Sequence, residues 1–121
     1  MSHALIIDDS ADFRASARQL LEAEGYTVTE AATGAEGIRI AEGLAFELVL
    51  LDIQLPDLDG FEVADSLACL ERPPEVVLTS TRDQADYGSL PSESPARGFI
   101  PKSELSGVTI RSLLSGSAAR E

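Results

Sequence analysis

The chain has 121 residues, 44% of them hydrophobic and 25% charged, the profile of one globular domain with a single core. Its 21 Asp and Glu against 9 Lys and Arg leave a net charge of −12, which repels nucleic acid and anionic lipid. No apolar run approaches the ~20 residues of a membrane helix, and "MSHALIIDDS" lacks an export pattern, so a cytoplasmic location is the default.

Taken in chain order, Ala4 to Ile7 form a short apolar strand that stops on Asp8-Asp9-Ser10, a helix-capping triplet. Apolar positions Phe13, Ala17, Leu20 and Leu21 recur at helical spacing, and Gly25 is a fitting stop. Tyr26 to Ala31 ("YTVTEA") alternates and is rich in β-branched residues, hence a second strand. "TGAE", Thr33 to Glu36, matches a capping box that opens a helix to about Ala41. "ELVLLDI" then reads as a strand buried on both faces, ending at Asp52.

Gln54 to Gly60 ("QLPDLDG") is a turn-rich loop in which Pro56 and Gly60 make the turns, and Asp59 caps a helix from about Phe61 to Leu70. Arg72-Pro73-Pro74 breaks that helix, and Val76 to Ser80 is the next buried strand. Gly88, Pro91 and Pro95 leave room for one short or irregular helix between Thr81 and Ala96. "RGFIP" is a last strand, Ser103 caps a final helix to about Leu114, and residues 115–121 form a flexible tail. Cys69, inside the helical "DSLACL", is expected to be buried; as the lone cysteine it excludes an internal disulfide and a multi-thiolate metal site. His3, alone near the terminus, is expected to be exposed.

Alternating strands and helices of this kind predict an α/β fold. It is a doubly wound, five-stranded parallel (βα)5 sheet, a single domain with its core over about residues 4–114. In such sheets chemistry collects at the carboxyl ends of the strands. There the chain places Asp8 and Asp9, Asp52, Thr79 or Ser80, and Lys102. Two carboxylates ~4 Å apart repel by roughly 4 kcal/mol at an effective dielectric of about 20, and one lysine does not offset three such pairs. Either a carboxyl is protonated or a dication sits among them. All-oxygen ligands with an incomplete protein shell favour Mg²⁺, or Mn²⁺ in its place.

The same residues in this order resemble the receiver (phosphoacceptor) domain of two-component response regulators: Asp8-Asp9, Asp52 in "LLDIQLPDLDG", a strand-four hydroxyl, and Lys102 after "GFIP". The resemblance covers about Ala4 to Leu114. It implies a flavodoxin-like fold and a Mg²⁺-dependent phosphorelay. Asp52 would accept a phosphoryl group from a sensor histidine kinase or phosphotransfer protein. Asp9, Asp52 and the backbone carbonyl of Gln54 would ligate the metal, and Asp8 would act through bound water. Lys102 would pair with the carboxylate and then the phosphoryl group. Counting back from Tyr87 by the spacing of similar receivers favours Ser80 as the hydroxyl, whereas an apolar run followed by Thr favours Thr79; Ser80 is preferred. Phe99 matches the aromatic switch position. Asp57 and Asp59 are read as loop and cap residues.

Two features depart from that pattern. Pro101 precedes Lys102 and Ser103 follows it, where the family usually has a proline after the lysine. Prolines also interrupt the fourth helix, so the output face formed with the fifth strand and fifth helix is expected to be remodelled and not to serve as a standard dimer surface. With no basic DNA-binding helix to follow, signalling by protein contact or by passing on the phosphoryl group is expected. The alternative is a pseudo-receiver scaffold that is not phosphorylated. In neither case is a separate substrate turned over, and partners are proteins, not nucleic acid or membrane.

Overall fold

Five parallel strands pair in the order β2-β1-β3-β4-β5 in a computed structural model that describes residues 2–82 and 84–119. In chain order the elements are β1 Ser2–Ile7, α1 Ala11–Ala23, β2 Tyr26–Ala31, α2 Gly34–Gly43, β3 Leu48–Asp52, α3 Gly60–Ala68 and β4 Glu75–Ser80. A 3₁₀ turn Gln84–Tyr87, α4 Leu90–Glu93, β5 Gly98–Pro101, a 3₁₀ turn Lys102–Glu104 and α5 Gly107–Ala119 complete the chain. β1 and β3 are neighbours, yet the chain leaves them in opposite directions across the sheet, which sets the switch point between their carboxyl ends.

The period-two alternation of the strands divides the core into two layers. Leu5, Ile7, Val49, Leu51, Val76 and Leu78 face α2 and α3, where Ala41, Val63, Ala64 and Leu67 complete the packing. Ala4, Ile6, Leu48, Leu50 and Val77 face the other way, against Ala17 and Leu21 of α1 and Ile110 of α5. β1 and β3 read as continuous apolar runs because both of their faces are buried.

The local signals hold at most boundaries. Ser10 caps α1 by accepting from Phe13 N, and Gly25 leaves that helix at φ +97, a conformation glycine adopts without strain. Thr33 caps α2, but Glu36 reaches past it to accept from Ala32 N, one residue beyond the expected capping box. Asp59 and Glu62 form a complete capping box on α3.

Four expectations are corrected. α3 stops at Ala68 with Cys69 as its C-cap, so Cys69 is exposed and not buried. His3, on β1 opposite Thr27, is half-buried rather than exposed. The 3₁₀ turn after β5 delays α5, so the cap is Ser106, which accepts from Thr109 N while Thr109 Oγ1 accepts from Ser106 N; Ser103 does not cap it. The α5 backbone then continues to Ala119, through residues expected in a flexible tail; residues 120 and 121 lie outside the described residues.

The start of α3 lies directly against the end of β3. Gly60 N donates to Ile53 O at 2.8 Å, and a Cβ on Gly60 would stand 2.5 Å from Ile53 Cα and 2.6 Å from Asp52 O. Backbone cannot yield there as a side chain would. Gly60→Ala is therefore expected to lower unfolding stability by about 1–3 kcal/mol, read from the urea midpoint at unchanged m-value.

Candidate functional site

The carboxyl end of β1 is held on three sides. Asp8 N donates to Ala31 O of β2 at 3.0 Å, and Asp8 O accepts from Arg14 Nη1 at 2.6 Å. Asp8 Oδ1 accepts from Ser10 N at 2.8 Å. Arg14 is itself fixed by Glu30 on β2, 3.0 Å from its Nε, and Arg18 pairs with the other oxygen of Glu30 at 2.6 Å. These two guanidiniums hold the Glu30 carboxyl below its ordinary range, against the opposing effect of burial. The turn that carries Asp8 and Asp9 is thus tied to both α1 and β2.

Asp52 closes β3 beside it. Its Oδ1 accepts from Gln54 N at 3.2 Å, and Ile53 N donates to Thr79 O of β4 at 3.0 Å. Carboxylate oxygens of Asp8, Asp9 and Asp52 lie within 4.8 Å of one another; Asp8 and Asp52 are buried and Asp9 is exposed. Lys102, on the turn after β5, brings its ammonium to 2.7 Å from Asp8 Oδ2 and 3.7 Å from Asp52 Oδ2. The ring of Phe13 stands on that ammonium, 4.3 Å from Nζ to centroid, a cation–π contact. The departure at Pro101 and Ser103 leaves Lys102 at this position, and the described residues contain no cis peptide bond.

One ammonium among three carboxylates leaves the corner negative. Asp8 Oδ2 is buried and meets the Lys102 charge without a hydrogen bond of good geometry. Burial raises the Asp52 carboxyl, and the neighbouring Asp8 charge raises it further; Lys102 and the Gln54 amide pull it back only in part, leaving it at about 6. An oxygen-only donor set, charge in excess and an open side at Asp9 fit a hard divalent cation.

The two strand-four hydroxyls face opposite ways. Thr79 is the register partner of Asp52, shares the sheet face of Val77 and Leu50, and donates to Leu51 O at 3.4 Å. Ser80 is turned to the other layer, where its Oγ is 2.6 Å from Tyr87 Oη and accepts from Arg82 N at 3.0 Å. Ser80, the residue preferred from the sequence, is thus not on the face of Asp52, and Thr79 is. Phe99 lies in the Ser80 layer, its ring 6.0 Å from that of Tyr87. Phe61 stands 6.0 Å from Tyr87 on the other side.

Asp57 and Asp59 are loop and cap residues. Asp57 receives Gly34 N and Ala35 N, each at 2.9 Å, on its two oxygens and so closes the N-terminus of α2 from a distant loop. Those amide dipoles lower its carboxyl below the usual range. Asp59 caps α3, and its segment pairs with Gln54 in an isolated bridge. Four roles at or near the site are not read from the sequence: Phe13 beside the ammonium, Arg14 on the Asp8 carbonyl, Asp57 as the α2 cap, and Tyr87 as the partner of Ser80. Phe13 shows there only as an apolar residue of the first helix, Asp57 as a loop residue and Tyr87 as a spacing marker, and Arg14 leaves no signal.

Known proteins resemble this chain in sequence and in fold. A family model described as the response regulator receiver domain matches residues 4–112. A putative transcriptional regulator of Pseudomonas aeruginosa is 34% identical over 105 residues, which are 86% of this chain and 51% of that protein. The virulence factors putative positive transcription regulator BvgA of Bordetella pertussis is 38% identical over 101 residues, 83% of this chain and 48% of that one. The chain spans about half the length of these curated relatives. A crystal structure of a CheY-like receiver domain protein from Methanospirillum hungatei superposes with a TM-score of 0.84 at 27% identity, covering 99% of this chain and 95% of that one.

The raised Asp52 carboxyl has a consequence for stability. Its protonated form favours the folded chain, so the contribution is complete below the ordinary aspartate value of 3.8 and is lost as pH rises through about 6. In EDTA the wild type is expected to lose about 2–3 kcal/mol from this group between pH 4 and pH 7. Urea titrations of wild type and Asp52→Asn across that range isolate it: the variant lacks this component of the slope and is the more stable of the two at pH 7.

Proposed function

The chain belongs to the receiver domain family of two-component response regulators, and from that premise we propose that Asp52 is a phosphoacceptor. The observation that carries the reading is the meeting of Asp8, Asp9 and Asp52 with the Lys102 ammonium at one corner of the sheet. The donor is a phosphohistidine of a sensor histidine kinase or phosphotransfer protein. An Asp52 oxygen attacks phosphorus, the P–N bond breaks, and the imidazole nitrogen leaves with the electron pair and takes a proton from water. The product is an acyl phosphate on Asp52.

A bound Mg²⁺, or Mn²⁺, supplies the positive charge that lets the carboxylates and the phosphoryl oxygens share the corner. Asp9, Asp52 and the Gln54 carbonyl would hold it directly, and Asp8 would act through water. Lys102 moves its charge from the carboxylates to a phosphoryl oxygen, a change of partner its flexible stem permits. Its starting point between Asp8 and the Phe13 ring holds it within reach. The Thr79 hydroxyl, level with Asp52, donates to a phosphoryl oxygen. Ser80 and Phe99, in the opposite layer with Tyr87, form the switch: movement of β4 toward the phosphoryl group pulls on the Ser80–Tyr87 hydrogen bond and repacks the rings.

No helix of the described residues is long and apolar enough to cross a membrane. With the acidic surface, this supports a cytoplasmic signalling role among proteins. The family is one of signalling domains, and the chemistry assigned here is confined to the chain's own aspartate.

Incubation with acetyl phosphate or phosphoramidate and Mg²⁺ is expected to add one phosphoryl group by intact mass. EDTA and Asp52→Asn each abolish the gain. Lys102→Ala slows it by roughly 10²-fold or more, by loss of preorganised charge. Thr79→Ala slows labelling more than Ser80→Ala; the reverse order assigns the hydroxyl to Ser80. A wild type that takes no label leaves the scaffold reading in place.

A further inference from the structure

The fourth crossover covers less of its face than the others. Pro95, which pushes the C-cap Ser94 into an extended conformation, stops α4 after the single turn Leu90–Glu93. A groove of about 490 Å³ opens between the loop 53–59, Phe61 on α3, Tyr87 and Leu90. It continues along α3 past Phe61 to Asp65, Glu93 and Ser94. Leu55, Leu58, Phe61 and Tyr87 give it an apolar lining, and Leu90 stands 50% exposed at its lip.

Its charge has one sign. Asp57, Asp59, Asp65 and Glu93 line it, and no basic side chain does so among the described residues. It is also joined to the phosphoacceptor corner at two points. Ile53 and Gln54 follow Asp52 directly, and the Tyr87 hydroxyl is bonded to Ser80, the residue after Thr79. The Tyr87 ring stands between Phe61 and Phe99, so a shift of Ser80 changes the wall of the groove.

We infer that this groove is a docking surface for a basic segment of a partner protein, with an apolar side chain seated against Phe61, Tyr87 and Leu90 and flanking Lys or Arg facing Asp65 and Glu93. A second copy is a poor occupant, because a chain of net charge −12 would bring like charge to an acidic rim. The coupling to Asp52 rests on the receiver reading; the groove and its charge do not.

Short random peptides displayed on phage and selected against the full chain test the inference. Enriched peptides are expected to join a large apolar residue to neighbouring Lys or Arg. Leu90→Glu and Asp65→Lys, both at exposed positions, are each expected to weaken the synthesised peptides by roughly tenfold or more. Beryllofluoride with Mg²⁺ is expected to change the affinity of the wild type severalfold. No enrichment, enrichment without basic residues, or binding indifferent to both substitutions overturns the docking surface. Unchanged affinity under beryllofluoride overturns its coupling to Ser80. Intact-mass labelling of the same proteins keeps the two readings apart: variants that take the phosphoryl group but lose the peptide support the groove, whereas a wild type that binds peptide and takes no label removes the phosphoacceptor alone.

Discussion

Mutual repulsion among three carboxylates at the ends of two adjacent central strands is the constraint around which this fold is organised. A single ammonium, Lys102, answers it in part. Burial makes the conflict sharper, because Asp8 and Asp52 are removed from the water that would otherwise screen them. A fold that gathers such a cluster must hold it rigidly, since any loosening lets the acids part and return to solvent.

The bracing is visible at each acid. Asp8 is fixed by a backbone bond to β2 and by Arg14, which Glu30 in turn immobilises. Asp52 ends a fully buried strand, and Gly60 allows α3 to begin directly against it, so nothing separates this carboxylate from the helix that supports it. Asp57 fastens the intervening loop to the N-terminus of α2. Lys102 arrives from the other half of the sheet and is kept from swinging away by the ring of Phe13. Elements distant in sequence therefore converge on one corner, and the core layers beneath supply the stiffness.

Much of this was legible because strand ends are easy to read. Asp8, Asp9, Asp52 and Lys102 each follow an apolar run, and the topology of a parallel sheet brings such positions together without further information. What failed to show was orientation and long-range bonding. Ser80 and Thr79 differ by one residue, which in a strand means opposite faces; counting along the chain cannot see that, whereas the pairing of Thr79 with Asp52 can. Ser103 has the right chemistry for a cap, but a 3₁₀ turn moves the helix start to Ser106. Cys69 lies on an apolar stretch, yet the helix ends there and leaves it outside. The capture of α2 by Asp57 crosses 23 residues and has no local signature. The stretch before β5 was legible only as broken, and it is two single turns.

The last strand carries a separate consequence. β5 is four residues long, borders the sheet, and ends in Pro101, which has no amide hydrogen to offer. Backbone addition of another chain along that border gains few bonds and stops early. Recognition on this flank must then be written in side chains rather than in main-chain ladders, so substitution can retune what the molecule contacts there without exposing it to sheet-to-sheet aggregation.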